Sequence, residues 1–276
     1  MKLPKPRGTA IDEARLHEWD QQFRFYRHPP NADTVKAWLA RFKVADQDVA
    51  ARILDCVEVV SEARIQEGYK SALASLNGWH KSPASREGRW VFTAFGKPGE
   101  SGLSMLRIFR EANGLTRSQY DDLFRHVTEI PKLKLTAADT IILVDDFSGS
   151  GKQVCKRWPQ LQELIASDAR CLIILTAATA DAKKKIEHET ELEVISHITI
   201  QQNENVFSSR CTRFSQPEKN SLLKYCRIAD AQNPKGFSET GLLYVLSHKT
   251  PNNSIPILHT NHPRWIGLFP RNLQQE

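Results

Sequence analysis

Thr140-Ile141-Ile142-Leu143-Val144-Asp145-Asp146-Phe147-Ser148-Gly149-Ser150-Gly151-Lys152-Gln153 is the stretch that decides the fold. Ile141 to Val144 are apolar and mostly β-branched, so they read as a buried strand. Two adjacent carboxylates, Asp145 and Asp146, stand at its carboxyl end. A Ser/Gly turn follows, and a helical pattern runs from Gln153 to about Ile165. Open α/β sheets bind ligands beyond the carboxyl ends of their strands. A Gly/Ser turn leading into a helix offers free N–H groups to a phosphate. Strand, acidic pair and turn together describe a site for a phosphorylated sugar, with carboxylates accepting from ribose hydroxyls. The plain alternative is a strand–turn–helix with an incidental acidic pair. Placing two adjacent carboxylates at a strand end is costly without a ligand or cation between them.

A P-loop reading fails on spacing. G-x-x-x-x-G-K-[ST] needs Gly where Asp146 stands and Ser or Thr where Gln153 stands.

The run resembles the phosphoribosyl pyrophosphate (PRPP) motif of type I phosphoribosyltransferases: apolar residues, two acids, two more residues that are usually apolar, then a short Thr/Ser/Gly turn. Ile141 to Val144, Asp145, Asp146, Phe147, Ser150 and Gly151 carry the match. Ser148 departs from an apolar position, and Gln153 from a common Thr or Ser. Gly149 stands where purine-salvage members carry an aspartate that handles the base proton, which argues against hypoxanthine or guanine salvage. The resemblance implies that Asp145 and Asp146 are catalytic, orienting the ribose directly or through Mg²⁺, the expected cofactor, held directly or through water. It implies that Phe147, Ser148, Gly149, Ser150, Gly151, Lys152 and Gln153 hold the 5′-phosphate.

PRPP also carries a pyrophosphate. Gly96-Lys97-Pro98-Gly99-Glu100-Ser101-Gly102, after the strand-like run Trp90–Phe95 and before a helical run to Ala112, is the candidate second loop. Its glycines allow close backbone approach. Lys97, Gly99, Ser101 and Gly102 are the expected binding residues. The bland reading is a Gly/Pro loop without a ligand.

The wider chain is ordinary in composition: 276 residues, 25% charged, net charge +6 and five scattered cysteines without a C-x-x-C pair. No apolar run is long enough to cross a membrane, and no signal-peptide core follows the basic start, so the expected location is the cytoplasm. The histidines, His259 and His262 included, make no metal-ligand pattern. The basic residues are dispersed, which permits a nucleic-acid partner without establishing one.

Around the motif the β/α alternation continues: a strand Cys171–Leu175, a helix 180–189 and a strand Leu192–Ile200. This predicts an α/β fold with a parallel sheet flanked by helices. Asp33 reads as N-cap of a helix from Thr34 to Phe42, and 46–76 as one long helix or two. A short helix is expected over 117–127, another over 219–231, and a strand over 241–246. The division expected is an N-terminal helical region at 1–85, a phosphoribosyltransferase-like core at 86–210, and a C-terminal hood at 211–276. Tyr244, His259, Asn261, Trp265, Phe269 and Arg271 are candidates for gripping an acceptor base, with His259 and Arg271 as the polar readers; for Trp265 and Phe269 the favoured reading is that they seal the core.

The flanking segments, with Trp19–Tyr26, Trp38, Asn252–Pro256 and Trp265–Arg271, are similar to those of phosphoribosyltransferase-like proteins of bacterial conflict systems. Some of these are encoded beside retron reverse transcriptases. The similarity implies a ribosyl-transferring or cleaving effector, a toxin component of anti-phage defence, with a ribose phosphate or nucleotide as ligand. A reverse transcriptase or nucleic acid is the partner it implies. Two other readings stay open: a non-catalytic nucleotide sensor or effector subunit, and a nucleic-acid-binding component.

Overall fold

The computed structural model describes residues 11–96 and 100–271. In chain order the elements are α1 (Glu13–Phe23), α2 (Ala32–Leu39), α3 (Gln47–Cys56), β1 (Glu58–Val60), α4 (Glu62–Ala74), β2 (Trp90–Ala94) and α5 (Gly102–Ala112). Then come β3 (Thr140–Ser148), α6 (Lys152–Ile165), β4 (Arg170–Thr179), α7 (Ala180–Thr190), β5 (Glu193–Ile200), α8 (Gln216–Ala229), β6 (Tyr244–Leu246), α9 (Pro256–His259), β7 (Asn261–His262) and β8 (Trp265–Ile266). They fall into two compact units. Ala63–Ile200 is one; residues up to Glu62 and residues from Gln201 onward form the other. The breaks expected near 85 and 210 thus fall earlier, and the two terminal segments share one unit.

The middle unit is an α/β layer. β2, β3, β4 and β5 form a four-stranded sheet in that order, every pair parallel. One face buries Val91, Ile141, Leu143, Ile173, Leu175 and Val194 against Val154, Trp158 and Ile165 of α6, Ile186 of α7 and Ile130 of the 3₁₀ turn Val127–Leu133. On the other face Phe109 of α5 meets Phe92 edge-on at 5.1 Å and Tyr69 of α4 at 5.7 Å. Helices therefore cover both faces, as near-continuous apolar strands require. β4 runs four residues beyond the predicted Leu175. Thr176 to Thr179 carry little strand signal of their own, and pairing with β3 and β5 on either side extends the strand. The helix expected over 117–127 is two 3₁₀ segments, Ser118–Leu123 and Val127–Leu133.

In the other unit, β1 pairs in parallel with β6, and of the two forms expected for 46–76, one long helix or two, the structure has two helices, parted by this three-residue strand. The cap of α2 is Asn31, whose Oδ1 accepts from the Thr34 N–H at 2.8 Å; Asp33 lies in the first turn. α8 opens with the Ser215–Glu218 capping box and begins three residues before its predicted start. The core is aromatic. Trp38 stacks edge-on with Phe42 at 4.7 Å, Phe42 meets Trp265 at 5.5 Å, and Phe23 meets Phe269 at 5.0 Å. The indoles of Trp38 and Trp265 both donate to the Ile257 carbonyl at 3.0 Å. Val206, Cys211 and Phe214 are buried in this core, so the polar run 201–216 is a packed connection.

The lead-ins to β2 and β3 are joined by Asp139, which is buried. Its Oδ1 accepts from the Arg89 N–H at 2.7 Å, and its Oδ2 from Arg89 Nη2 at 2.7 Å and the Thr136 N–H at 2.8 Å. The Arg89 hydrogen bond, with the backbone donors, holds this carboxyl well below the usual range. A depressed carboxyl pKa adds stability above the unfolded-state value of about 4 that is lost as the pH falls below it. Asp139→Asn should cost roughly 2–3 kcal/mol at neutral pH, the scale of hydrogen bonds to a charge. In urea melts the gap to wild type should narrow as the pH drops from about 4 towards 2; a gap independent of pH contradicts the assignment.

Candidate functional site

The site begins where two strands part. β2 pairs with β3 only as far as Ala94–Val144, and the Phe95 N–H closes the ladder on the Val144 carbonyl at 2.9 Å. β3 continues to Ser148, paired with β4 alone. Asp145 and Asp146 therefore lie inside the strand and not beyond its end, at the point where one neighbour has left. Side chains alternate along a strand. Asp145 follows Ile141 and Leu143 onto the face of α6, and Asp146 falls on the face of α4.

The two carboxylates are not equivalent. Asp145 is 6% exposed, and Asp146 is half-buried. Asp145 Oδ1 accepts from Ser101 Oγ at 3.0 Å and from the Asp146 N–H at 2.9 Å. Its carbonyl accepts from the Tyr69 hydroxyl at 2.8 Å. Burial, and then the charge of Asp146, push the Asp145 carboxyl well above its ordinary value. Tyr69 is itself buried; desolvation and then the Asp146 charge hold its proton on. Sequence reasoning missed Tyr69, which looks like any apolar-face residue of an amphipathic helix.

The Ser/Gly turn follows. Ser148 and Gly149 are buried, Phe147 and Ser150 half-buried, and Lys152 and Gln153 exposed. Gly151 caps α6 with φ +70°, and a Cβ there would lie 3.0 Å from the Ala182 carbonyl oxygen. Only glycine fits both demands. The Gly149 carbonyl accepts from Thr179 Oγ1 at 2.8 Å, and the same oxygen accepts from the Ala182 N–H at 3.0 Å, so Thr179 caps α7 and pins the turn. Thr179 was not a predicted site residue, because the turn it bonds lies 30 residues away.

α6 itself has no side-chain cap. Its first two turns carry Lys152, Lys156 and Arg157 and no acid. Cations at a helix N-terminus oppose the macrodipole. An uncapped start with three of them is arranged for a bound anion.

The second loop lies on the same face. Lys97 and Gly99 fall outside the described residues. Gly102 opens α5 against Phe95 so closely that a Cβ would stand 2.0 Å from the Phe95 carbonyl oxygen. Ser101, expected to donate to a pyrophosphate, instead donates to Asp145, so the two predicted halves of the site are one hydrogen-bonded group. Glu100 Oε2 pairs with Arg157 Nη1 at 2.6 Å.

Among the candidate acceptor readers, Trp265 and Phe269 are core residues, 2% and 0% exposed. His259 does not present a free edge either. Its ring meets the Ser254 carbonyl at 3.1 Å, and burial, followed by the Arg271 charge, lowers its pKa to about 4. The Arg271 carbonyl accepts from Arg27 at 2.9 Å. Among the described residues no cluster of three or more His, Cys, Asp or Glu is arranged for a metal, and no helix is long and apolar enough to cross a membrane.

The PRTase-CE family profile matches residues 35–271, most of the sequence and parts of both units. The chain belongs to the PRTase-CE family. This makes it a phosphoribosyltransferase-like protein, with the parallel α/β sheet of that class. The PRTase-CE match reaches well beyond the acidic motif into both terminal segments. No curated protein matches the chain.

A raised carboxyl pKa means the folded state holds a proton that the unfolded state has lost. The stability of this PRTase-CE chain therefore falls as the pH rises from about 4 through the folded-state value. Asp145→Asn keeps an oxygen for Ser101 and removes that dependence. Its melting temperature should exceed wild type by about 2–4 °C at pH 7–8 and match it near pH 4, a shift worth about 1 kcal/mol. A variant that melts below wild type at pH 8 contradicts the burial argument.

Proposed function

We propose that this protein binds PRPP, or a closely related ribose phosphate, at the turn after β3 and transfers or cleaves the ribosyl unit at C1. One observation carries the reading. An acidic pair, Asp145 buried and Asp146 half-buried, sits where β2 leaves β3, directly before a Gly/Ser turn and an uncapped helix start rich in cations. The turn 148–151 and the first N–H groups of α6 take the 5′-phosphate. Asp146, the more exposed of the pair, accepts from the ribose hydroxyls. Asp145, tied to Ser101 and the Asp146 N–H, fixes the backbone that aims Asp146.

Asp146 and the ligand's own phosphate oxygens suit Mg²⁺, which keeps several waters and needs one or two carboxylates from the protein. Bound there, Mg²⁺ would offset charge on the departing diphosphate. This chain's own contribution at C1 is orientation of the ribose and fixed N–H donors and cations at the phosphates.

Two features favour a second reading, a subunit that binds the nucleotide without turning it over. Gly149 supplies no base-handling carboxylate, and its carbonyl is committed to Thr179. Asp145 is buried, and its Oδ1 is already committed to Ser101 and the Asp146 N–H. The setting we propose is an effector of bacterial anti-phage defence, on the likeness of the flanking segments to conflict-system proteins.

Calorimetry with PRPP and Mg²⁺ tests the ligand. Wild type should bind, and Asp146→Asn should weaken binding by on the order of a hundredfold, the loss of a charged hydrogen-bonding partner. Equal affinity would remove the assignment. Pyrophosphate release with a panel of bases and nucleotides separates transferase from sensor. Loss of phage protection in Asp146→Asn cells tests the setting.

A further inference from the structure

Arg157 lies outside every predicted site residue, yet it stands beside the second loop. It projects from the second turn of α6, and its guanidinium lies 5.4 Å from the centre of the Phe95 ring. A guanidinium carries five N–H donors. Among the described residues Glu100 is the hydrogen-bond partner of Arg157, through one bond at 2.6 Å. The same Glu100 oxygen lies over Gly96, 3.2 Å from where a Cβ on that glycine would be, with Gly96 at φ +138°. The carboxylate thus rests over the glycine backbone that opens the loop and beside a guanidinium. Both are features an incoming diphosphate would use. The next residue, Ser101, is bonded to Asp145. Asp145, Ser101, Glu100 and Arg157 therefore form one continuous polar line from the ribose site to α6.

We infer that Glu100 is an internal stand-in for the ligand's diphosphate, and that Arg157 binds that diphosphate once Glu100 is displaced. This rests on the PRPP reading above. The Glu100 side chain is 41% exposed and that of Arg157 18% exposed. A partly solvent-exposed ion pair is a weak tie, so the Arg157 contact is one a better anion can exchange. A diphosphate offers more charge and several acceptor oxygens to the donors of Arg157 that Glu100 leaves unused, and paired contacts of that kind are the stronger ones. The exchange makes and breaks only hydrogen bonds and ion pairs. It discriminates ligands by the group on C1: a ribose phosphate without a diphosphate has no reason to move Glu100.

Calorimetric titration of the full chain with PRPP and Mg²⁺, and separately with ribose 5-phosphate, tests it on wild type, Glu100→Gln and Arg157→Met. Glu100→Gln removes the competing charge and should tighten PRPP by about tenfold; Arg157→Met should weaken it by about tenfold or more. Ribose 5-phosphate should change by less than about twofold in either variant. In the double variant the gain from Glu100→Gln should vanish, because the two residues act on one ligand group. A general charge effect of Glu100→Gln would tighten ribose 5-phosphate as well, so the comparison of the two ligands in that variant stands even if Arg157→Met folds poorly. Wild-type PRPP binding that neither substitution alters overturns this inference and leaves the PRPP reading in place. Equal changes for both ligands overturn the assignment to the diphosphate. No PRPP binding in wild type or in Glu100→Gln overturns both.

Discussion

The parting of β2 from β3 after Val144 is the constraint on which the site depends. While a strand has neighbours on both sides its backbone is sealed and its residues are core. β3 keeps β4 through Ala178 but loses β2 four residues earlier, and the opening on that side is where polar side chains become affordable. Gly102 packs on the Phe95 carbonyl, too close for any side chain. Beside it, Ser101 is bonded to Asp145. Strand pairing, the glycine contact and the hydrogen bond meet at this one point.

Electrostatics explains how two neighbouring carboxylates are tolerated there. Alternation sends them to opposite faces, so they share a backbone and not a pocket. Asp145 gives up its charge readily because burial and its neighbour both disfavour ionisation. Asp146 keeps more solvent. α6, which follows the turn, has a cationic start without a side-chain cap, which would be a defect in an isolated helix. α7, the next helix in the chain, is capped by Thr179 in the ordinary way. Adjacent helices of one sheet thus differ in whether the protein satisfies its own N-terminus.

The second unit is held by a different logic. Its two chain segments are far apart in sequence and meet in an aromatic core, with Trp38 and Trp265 sharing the Ile257 carbonyl. A two-stranded parallel pair of three residues each, β1 with β6, is too short to be stable alone. Burial of Trp19, Phe23, Phe42 and Phe269 around it supplies the stability. The PRTase-CE match covers this unit as well as the sheet, so the terminal segments are family features and not appendages.

What the sequence determined by itself was whatever depends on near neighbours along the chain. The apolar run Ile141–Val144, the Ser/Gly turn and the period change at Gln153 specify strand, turn and helix. Gly151 is needed for a local reason, its left-handed φ. The β/α alternation from Trp90 to Ile200 specifies the parallel sheet. Tertiary structure decided everything that depends on distant partners. Pairing carried β3 and β4 past their apolar runs and put the acidic pair inside a strand. It buried Asp145, turned Ser101 from a ligand donor into the partner of a carboxylate, and brought Tyr69 and Thr179 to the site from helical and strand positions with no local signal. It tied the half-buried His259 ring to a backbone carbonyl. Hydrophobic periodicity records which face of an element is buried. It does not record which other element comes to bury it, and the chemistry of this site lies in that second choice.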